Sequence, residues 1–306
     1  MRQFLFLPVF ALLAACTTVP SGSAWNRPAV VGHLATAELT ESSGLARSHR
    51  STDLLWSHND SGGEPVIYAL GTDGADRGRV RIAGAVNRDW EDIASFELNG
   101  RPYLLIADTG DNQAVRTDCR LYVIAEPDPA ELAPGREITV PIAWEMPVAY
   151  ADHPRDCESV AVDAKEGFVY LLSKRELPVG LYRLPLRSIK PAATPPAAFL
   201  TLVSQIPQPT GPRRLVDGPT GRMGGMPVAM DIATDGSAAV VLTYMDVLVF
   251  PRATGESWAS AFTRLPQHLE TISLPQAEAV CFAGDGGIFV TTEGEHAPLV
   301  RYQLAK

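Results

Sequence analysis

Three glutamates, Glu91, Glu158 and Glu278, each stand just ahead of a short run of small and aliphatic residues: "WEDIASFE", "CESVAVDA" and "AEAVCFAG". Two more stretches have the same form without a glutamate, "SSGLARS" (42–48) and "AMDIATDG" (229–236). A second apolar run follows each and ends in polar residues: His58-Asn59-Asp60, Asp108-Thr109-Gly110-Asp111-Asn112, Lys174-Arg175, Tyr244 and Glu293. Carboxylates, Asn side chains and carbonyls are the donors a hard cation such as Ca²⁺ takes. If these runs converge, Glu91, Asp92, Glu158 and Glu278 are candidate metal ligands. Asn59, Asp111, Asn112, Lys174, Arg175, Tyr244 and Glu293 are then candidate ligand-binding residues, and His58, Asp60, Asp108 and His153 are candidates for proton transfer. No D-x-[DN]-x-[DN]-G loop occurs, so a calcium site would have to be assembled from separate repeats. A plainer reading competes. Glutamates at strand starts can accept from neighbouring backbone N–H groups, "HNDSGG" and "DTGDN" can be solvated turns, and His153 can be a surface histidine.

"NDSGG" (59–63) resembles the nucleophile segment of trypsin-type proteases, and the resemblance fails on inspection. Asn59 stands where that motif has glycine, and Glu64 intrudes before Pro65. "EDIAS" follows Ser61 in the chain, and neither His33 nor His49 has the required context. No G-x-S-x-G elbow is present either. Ser61 is therefore read as a turn residue.

What must position the polar residues is a repeat. After the two runs comes a third, "VIYALG", "RLYVIAE", "GLYRLPL", "DVLVFPR" and "PLVRYQL". A fourth is read in "GRVRIAG", "REITVPIAW", "AAFLTLVSQI" and "LETISLP". Helical periodicity is nearly absent, and four strands repeated several times is the sequence form of an all-β, β-propeller fold. The first strands start at Ser43, Glu91, Glu158, Met230 and Glu278, with intervals of 48, 67, 72 and 48 residues. Long turn regions such as "RRLVDGPTGRMGG" (213–225) fill the longer intervals. The last repeat lacks a fourth strand, which "AVVGHLA" (29–35) can supply, closing the ring and removing a free edge. Five blades result, or six if the interval 158–230 hides a degenerate one. The start of strand one and the end of strand two then share one face of the ring, and there the polar residues would meet. Lys174 and Arg175 could balance the crowded carboxylates, as could a bound cation.

The first residues concern location. Arg2 precedes "FLFLPVFALLAA", an apolar run of twelve, too short to span a bilayer and shaped like a signal-peptide core. Leu13-Ala14-Ala15-Cys16 resembles a bacterial lipoprotein lipobox, which implies cleavage before Cys16 and a lipid on that residue. Thr17 in place of Asp resembles the outer-membrane sorting pattern, with the protein facing the periplasm or the exterior. The expected organisation is a signal peptide over 1–15, a lipidated tether over 16–28 and one propeller domain over 29–306. A net charge of −9 argues against nucleic acid and against a polybasic membrane surface, so the membrane partner is reached through the lipid. A monomer is expected. Of the remaining cysteines, Cys119 and Cys157 lie in polar contexts and are expected to pair; Cys281, in "EAVCFAG", reads as a small buried hydrophobe.

"ESSGLARS…LLWSHNDSGG…IYAL", "DWEDIA", "YLLIADTGDN", "ESVAVD" and "TTEG…PLVRY" together resemble a group of uncharacterised bacterial secreted or lipoprotein β-propellers, over about residues 38 to 304. More distantly the chain is similar to phytase-related esterase-like, regucalcin and gluconolactonase propellers, which place a Glu and several Asn/Asp around an axial divalent cation. Met230 departs from that pattern, since an acidic or polar residue would have continued it. Two functions follow as expectations. One is an anchored binding module for a small-molecule or protein ligand, with an acidic, calcium-binding axial site. The other is a calcium-dependent hydrolase of an ester, lactone or phosphoester.

Overall fold

Most strands of this chain are apolar at consecutive positions, which a sheet with one wet face does not require. The arrangement explains it. In β3, Leu54 and Trp56 enter one apolar cluster while Leu55, between them, enters another. Successive side chains point to opposite faces of a strand, so this sheet is covered on both sides.

The computed structural model describes residues 25–186, 198–206, 224–270 and 274–305. The chain begins with β1 (Ala29–His33), followed by β2 (Ser42–Arg47), β3 (Leu54–Asn59), β4 (Val66–Gly71) and β5 (Asp76–Ala83). Next come β6 (Trp90–Leu98), β7 (Arg101–Asp108), β8 (Arg120–Ala125), β9 (Glu137–Pro141) and β10 (Trp144–Tyr150). The third group is β11 (Cys157–Asp163), β12 (Phe168–Ser173), β13 (Val179–Pro185) and β14 (Ala198–Ile206). The last two groups are β15 (Pro227–Ile232), β16 (Ala238–Thr243), β17 (Val247–Pro251) and β18 (Gln267–His268), then β19 (Ala277–Phe282), β20 (Ile288–Thr292) and β21 (Pro298–Tyr302). Among the described residues no helix is long and apolar enough to cross a membrane.

The sheets run β2-β3-β4-β5-β9, β15-β16-β17-β18 and β1-β21-β20-β19, plus one of eight strands, β11-β12-β13-β14-β10-β8-β7-β6. That eight-stranded sheet is two antiparallel four-stranded halves joined at their outer edges by the parallel pair β10–β14. The innermost strands follow one another in a closed cycle: β2 packs against β6, β6 against β11, β11 against β15, β15 against β19, and β19 against β2. The apolar core is correspondingly divided, with one cluster between each pair of neighbouring strand groups.

The N-terminal strand closes the assembly as expected: β1 pairs antiparallel with β21. The join begins earlier than residue 29, since Trp25 bridges Leu304 and Asn26 N–H donates to Gln303 at 2.8 Å. Two fourth strands differ from the sequence reading. "REITVPIAW" divides: β9 adds in parallel to β5 as a fifth strand of the first sheet, while β10 takes the place beside β8. The partner of β17 is the short β18 rather than "LETISLP", of which 271–273 lie outside the described residues. All described strands of the interval 158–230 belong to one group, β11 to β14, and β15, so no additional blade is seen among them. Residues 1–24, with Cys16, and 207–223 of the long turn region also lie outside the described residues.

Candidate functional site: a carboxylate-lined mouth

Where each innermost strand begins, its register with the second strand slips by one residue. The slips fall between Ser42 and Gly44, Trp90 and Asp92, Cys157 and Ser159, Pro227 and Ala229, and Ala277 and Ala279. Each is a β-bulge, and the extra residues are Ser43, Glu91, Glu158, Val228 and Glu278. A bulge unpairs one residue from the ladder and re-aims its side chain, a device common beside functional sites. This corrects the repeat alignment: the equivalent of the three glutamates in the fourth group is Val228, not Met230. The acidic series is therefore broken by an apolar residue.

Around this upper face the carboxylates form two overlapping triads, Asp60–Asp89–Glu91 and Glu91–Asp156–Glu158. In each, one ligand oxygen per residue lies within 4.8 Å of the others. Glu91 is shared, is 4% exposed, and makes neither a side-chain hydrogen bond nor an ion pair with the described residues. Burial pushes its carboxyl well above the usual range, and Glu158, Asp60, Asp89 and Asp156 add like-charge repulsion. Asp60 rises to about 6, through burial first and Asp89 next, and its Oδ1 is buried without a partner. Gly110 permits the approach of Glu91 and Asp89: a Cβ there would lie 1.9 Å from Glu91 Oε1 and 2.5 Å from Asp89 Oδ2.

The other half of the mouth carries the cations. Lys174, buried, pairs with Glu158 and donates to Tyr244 Oη at 2.9 Å. Burial still raises Glu158 to about 7, with the ammonium only partly offsetting it. Arg175 Nε donates to Asp156 Oδ2 at 2.6 Å. Glu278 shares a hydrogen bond with Glu293, and burial followed by that neighbour pushes it up to about 8. Gln276 Nε2 in turn donates to Glu293 at 2.8 Å. Glu158 and Asp156 of the second triad are thus each paired with an internal cation, while among the described residues no ion pair reaches Asp60, Asp89 or Glu91, and Arg116 acts on Asp89 only through its field.

Several expected site residues have other tasks. Asp92 joins neither carboxylate triad: fully buried, it accepts from the backbone N–H groups of Ile93, Val160 and Met230 at 2.8, 2.8 and 3.2 Å, tying β6 to β11 and β15. Asp231 ties β15 to β19 the same way, accepting from Phe282 N–H at 2.8 Å. The Arg116 guanidinium pairs with Asp108 at 2.9 Å and donates to Gly110 O at 2.7 Å, while its backbone N–H donates to Asp111 at 2.7 Å, so "DTGDN" is a loop folded around a guanidinium. Asn112 accepts from Arg175. Asn59 accepts from the N–H groups of Thr40 and Glu41, both at 3.0 Å, as a turn-fixing side chain.

His58 is sealed in the core edge-on to Trp90, with Nδ1 2.9 Å from Asn59 O, and burial lowers it to about 4. It therefore stays neutral at physiological pH and does not reach the mouth. His153 lies exposed beside Asp152 and Glu176, away from both triads. Cys119 and Cys157, expected to pair, are both free, buried thiols in one cluster, and Cys281 is buried as expected. Ser61 is an exposed turn residue.

Sequence reasoning passed over Asp89, Asp156 and Arg116. A signal for the first two exists: Arg88-Asp89-Trp90-Glu91 and Arg155-Asp156-Cys157-Glu158 repeat R-D-x-E at equivalent positions, with Asp two residues before the bulged Glu. Arg116 had no such mark, since its role depends on a loop closing over it.

No family model matches the chain, and no curated protein matches it. Among solved structures it is similar to the major allergen Mala s 1 of Malassezia sympodialis, with a TM-score of 0.54 at 12% identity, covering 89% of this chain and 95% of that one. A luciferin-regenerating enzyme aligns with a TM-score of 0.45 at 11% identity, covering 90% of this chain and 95% of that one. The first likeness concerns architecture alone, and with the sheet arrangement above it makes the chain an all-β protein of β-propeller-like fold.

Proposed function

We propose that the chain is a five-bladed β-propeller serving as a binding module whose acidic mouth seats a divalent cation, calcium by the chemistry of its donors. The closed cycle of five innermost strands and the five intervening core clusters support the reading of five blades. The observation that carries the cation reading is Glu91: a carboxylate buried without hydrogen bond or ion pair among the described residues and shared by two carboxylate triads. An isolated buried charge is costly, and a cation removes that cost. The seat is Asp60–Asp89–Glu91, because Lys174 and Arg175 already neutralise Glu158 and Asp156. Oxygen donors alone suit Ca²⁺ better than softer metals.

Calorimetric titration with calcium and melting curves with calcium or chelator test this. Calcium should raise the melting temperature of the protein and leave Glu91→Gln unmoved. Melting curves of the unaltered protein that ignore both additions would remove the cation from the account.

A hydrolytic role is the second reading, favoured by one observation: Glu278, held protonated to about pH 8 and hydrogen-bonded to Glu293, is the type of group that donates a proton to a leaving oxygen. Calcium-dependent turnover of an ester, lactone or phosphoester, lost in Glu278→Gln, would establish it. Lipid attachment at Cys16 and an outer-membrane position complete the proposal; Cys16→Ser should then move the protein from the membrane to the soluble fraction.

A further inference from the structure

On the face opposite the acidic mouth lies a cavity of about 330 Å³, between the first strand group and the last. Its walls come from the turn after β2, the turn after β19, and the strands β20 and β21. That size is at the lower end of small-molecule sites.

The lining has two parts. Leu55 and Phe289, which share one apolar cluster, form an apolar side. Two guanidiniums, Arg47 from the first strand group and Arg301 from the last, line the cavity together with the hydroxyl residues Thr52 and Thr72. Arg301 is held in place: its guanidinium lies over the Phe289 ring at 5.0 Å, Asp285 pairs with one end, and its buried Nε–H has no acceptor. Arg47 is fixed by donating to Thr234 Oγ1 at 2.6 Å and to Ser48 O at 3.3 Å. Asp285 balances Arg301 and the buried Asp231 lies in the field of Arg47, so what the pair offers a ligand is directed donors, first of all the unpaired Arg301 Nε–H. Guanidiniums present planar, directed donors suited to carboxylate and phosphate oxygens, and fixing them beforehand lowers the entropy cost of binding.

We infer that this cavity binds an organic oxyanion with an apolar body, its carboxylate or phosphate held by Arg47 and Arg301 and its apolar part against Leu55 and Phe289. The site is separate from the acidic mouth and needs no cation. Gly284, in the cavity wall, offers a clean way to fill it, because a Cβ built there meets nothing within 4 Å.

Phenyl phosphate, phenylacetate and the uncharged benzyl alcohol, titrated into the full protein in chelator, test the inference. At least one anion should bind saturably in the millimolar range and benzyl alcohol should not; which anion binds distinguishes phosphate from carboxylate ligands. Arg47→Gln and Arg301→Gln should each weaken binding about tenfold, the order expected for one charge-assisted hydrogen bond. Gly284→Phe should abolish binding with the melting temperature preserved, and Glu91→Gln should leave it intact. Absence of saturable binding by both anions overturns the inference. So does equal binding of benzyl alcohol, or affinity that survives the Gly284→Phe substitution.

Discussion

The two ends of the innermost strands carry opposite chemistry. At the upper ends, β-bulges bring Glu91, Glu158 and Glu278 together with Asp60, Asp89 and Asp156, and part of this charge has no cation beside it. At the lower ends, β2 finishes in Arg47, which reaches from the first strand group to Thr234 beyond β15 and draws down the carboxyl of buried Asp231. The upper end is under like-charge strain that a cation would relieve; the lower end is held by a guanidinium already in use. The lesson is that one repeated frame can be structurally committed at one end and chemically open at the other. Adjacent residues divide in the same way, since among the described residues Glu91 has no hydrogen-bond partner while Asp92 has three.

That contrast can be broken first at Asp92. Asp92→Ala strips acceptors from three buried N–H groups on three strands and should cost about 4 kcal/mol, read from urea denaturation. A loss near zero would mean that the innermost strands are held by packing alone.

The pH dependence comes next. Asp231, at about 7, and Glu278, at about 8, are raised above their unfolded values, so they favour the folded state at low pH and that contribution is lost as pH rises through 7 and 8. His49 and His58, lowered to about 4, act oppositely, but only as pH falls below 6.5. Between pH 6.5 and 8 the carboxyls alone remain, and the melting temperature in chelator should fall on the order of 5 °C. Calcium should reverse the part of that fall belonging to the upper mouth.

A smaller effect belongs to the lower end. Arg47→Gln should cost about 1 kcal/mol for the lost hydrogen bonds. It should also move the Asp231 titration upward in carboxyl-resolved NMR, leaving the calcium response unchanged. His153→Ala should alter stability by less than about 0.5 kcal/mol and leave calcium binding alone, as befits an exposed loop side chain.

By itself the sequence determined the first three strands of each group, the β1–β21 closure and part of the upper mouth, Glu91, Glu158, Glu278 and Asp60 but not Asp89 or Asp156. It could do so because sheets buried on both faces must be written as aliphatic runs, and turns must separate them. Glu91, Glu158, Glu278 and Asp60 were legible as a group because each sits at a repeated strand end. Tertiary structure decided what each polar residue does. Whether a carboxylate is a ligand or a staple depends on which backbone N–H groups face it, and for Asp92 these lie 68 and 138 residues away. The one-residue bulge that makes Val228 rather than Met230 the partner of the glutamates leaves no mark in composition, since it is a property of the pairing register. The burial of His58 and the closing of "DTGDN" around Arg116 likewise depend on segments meeting across the fold. Local pattern fixes where strands lie; long-range pairing fixes which charges are satisfied and which remain open.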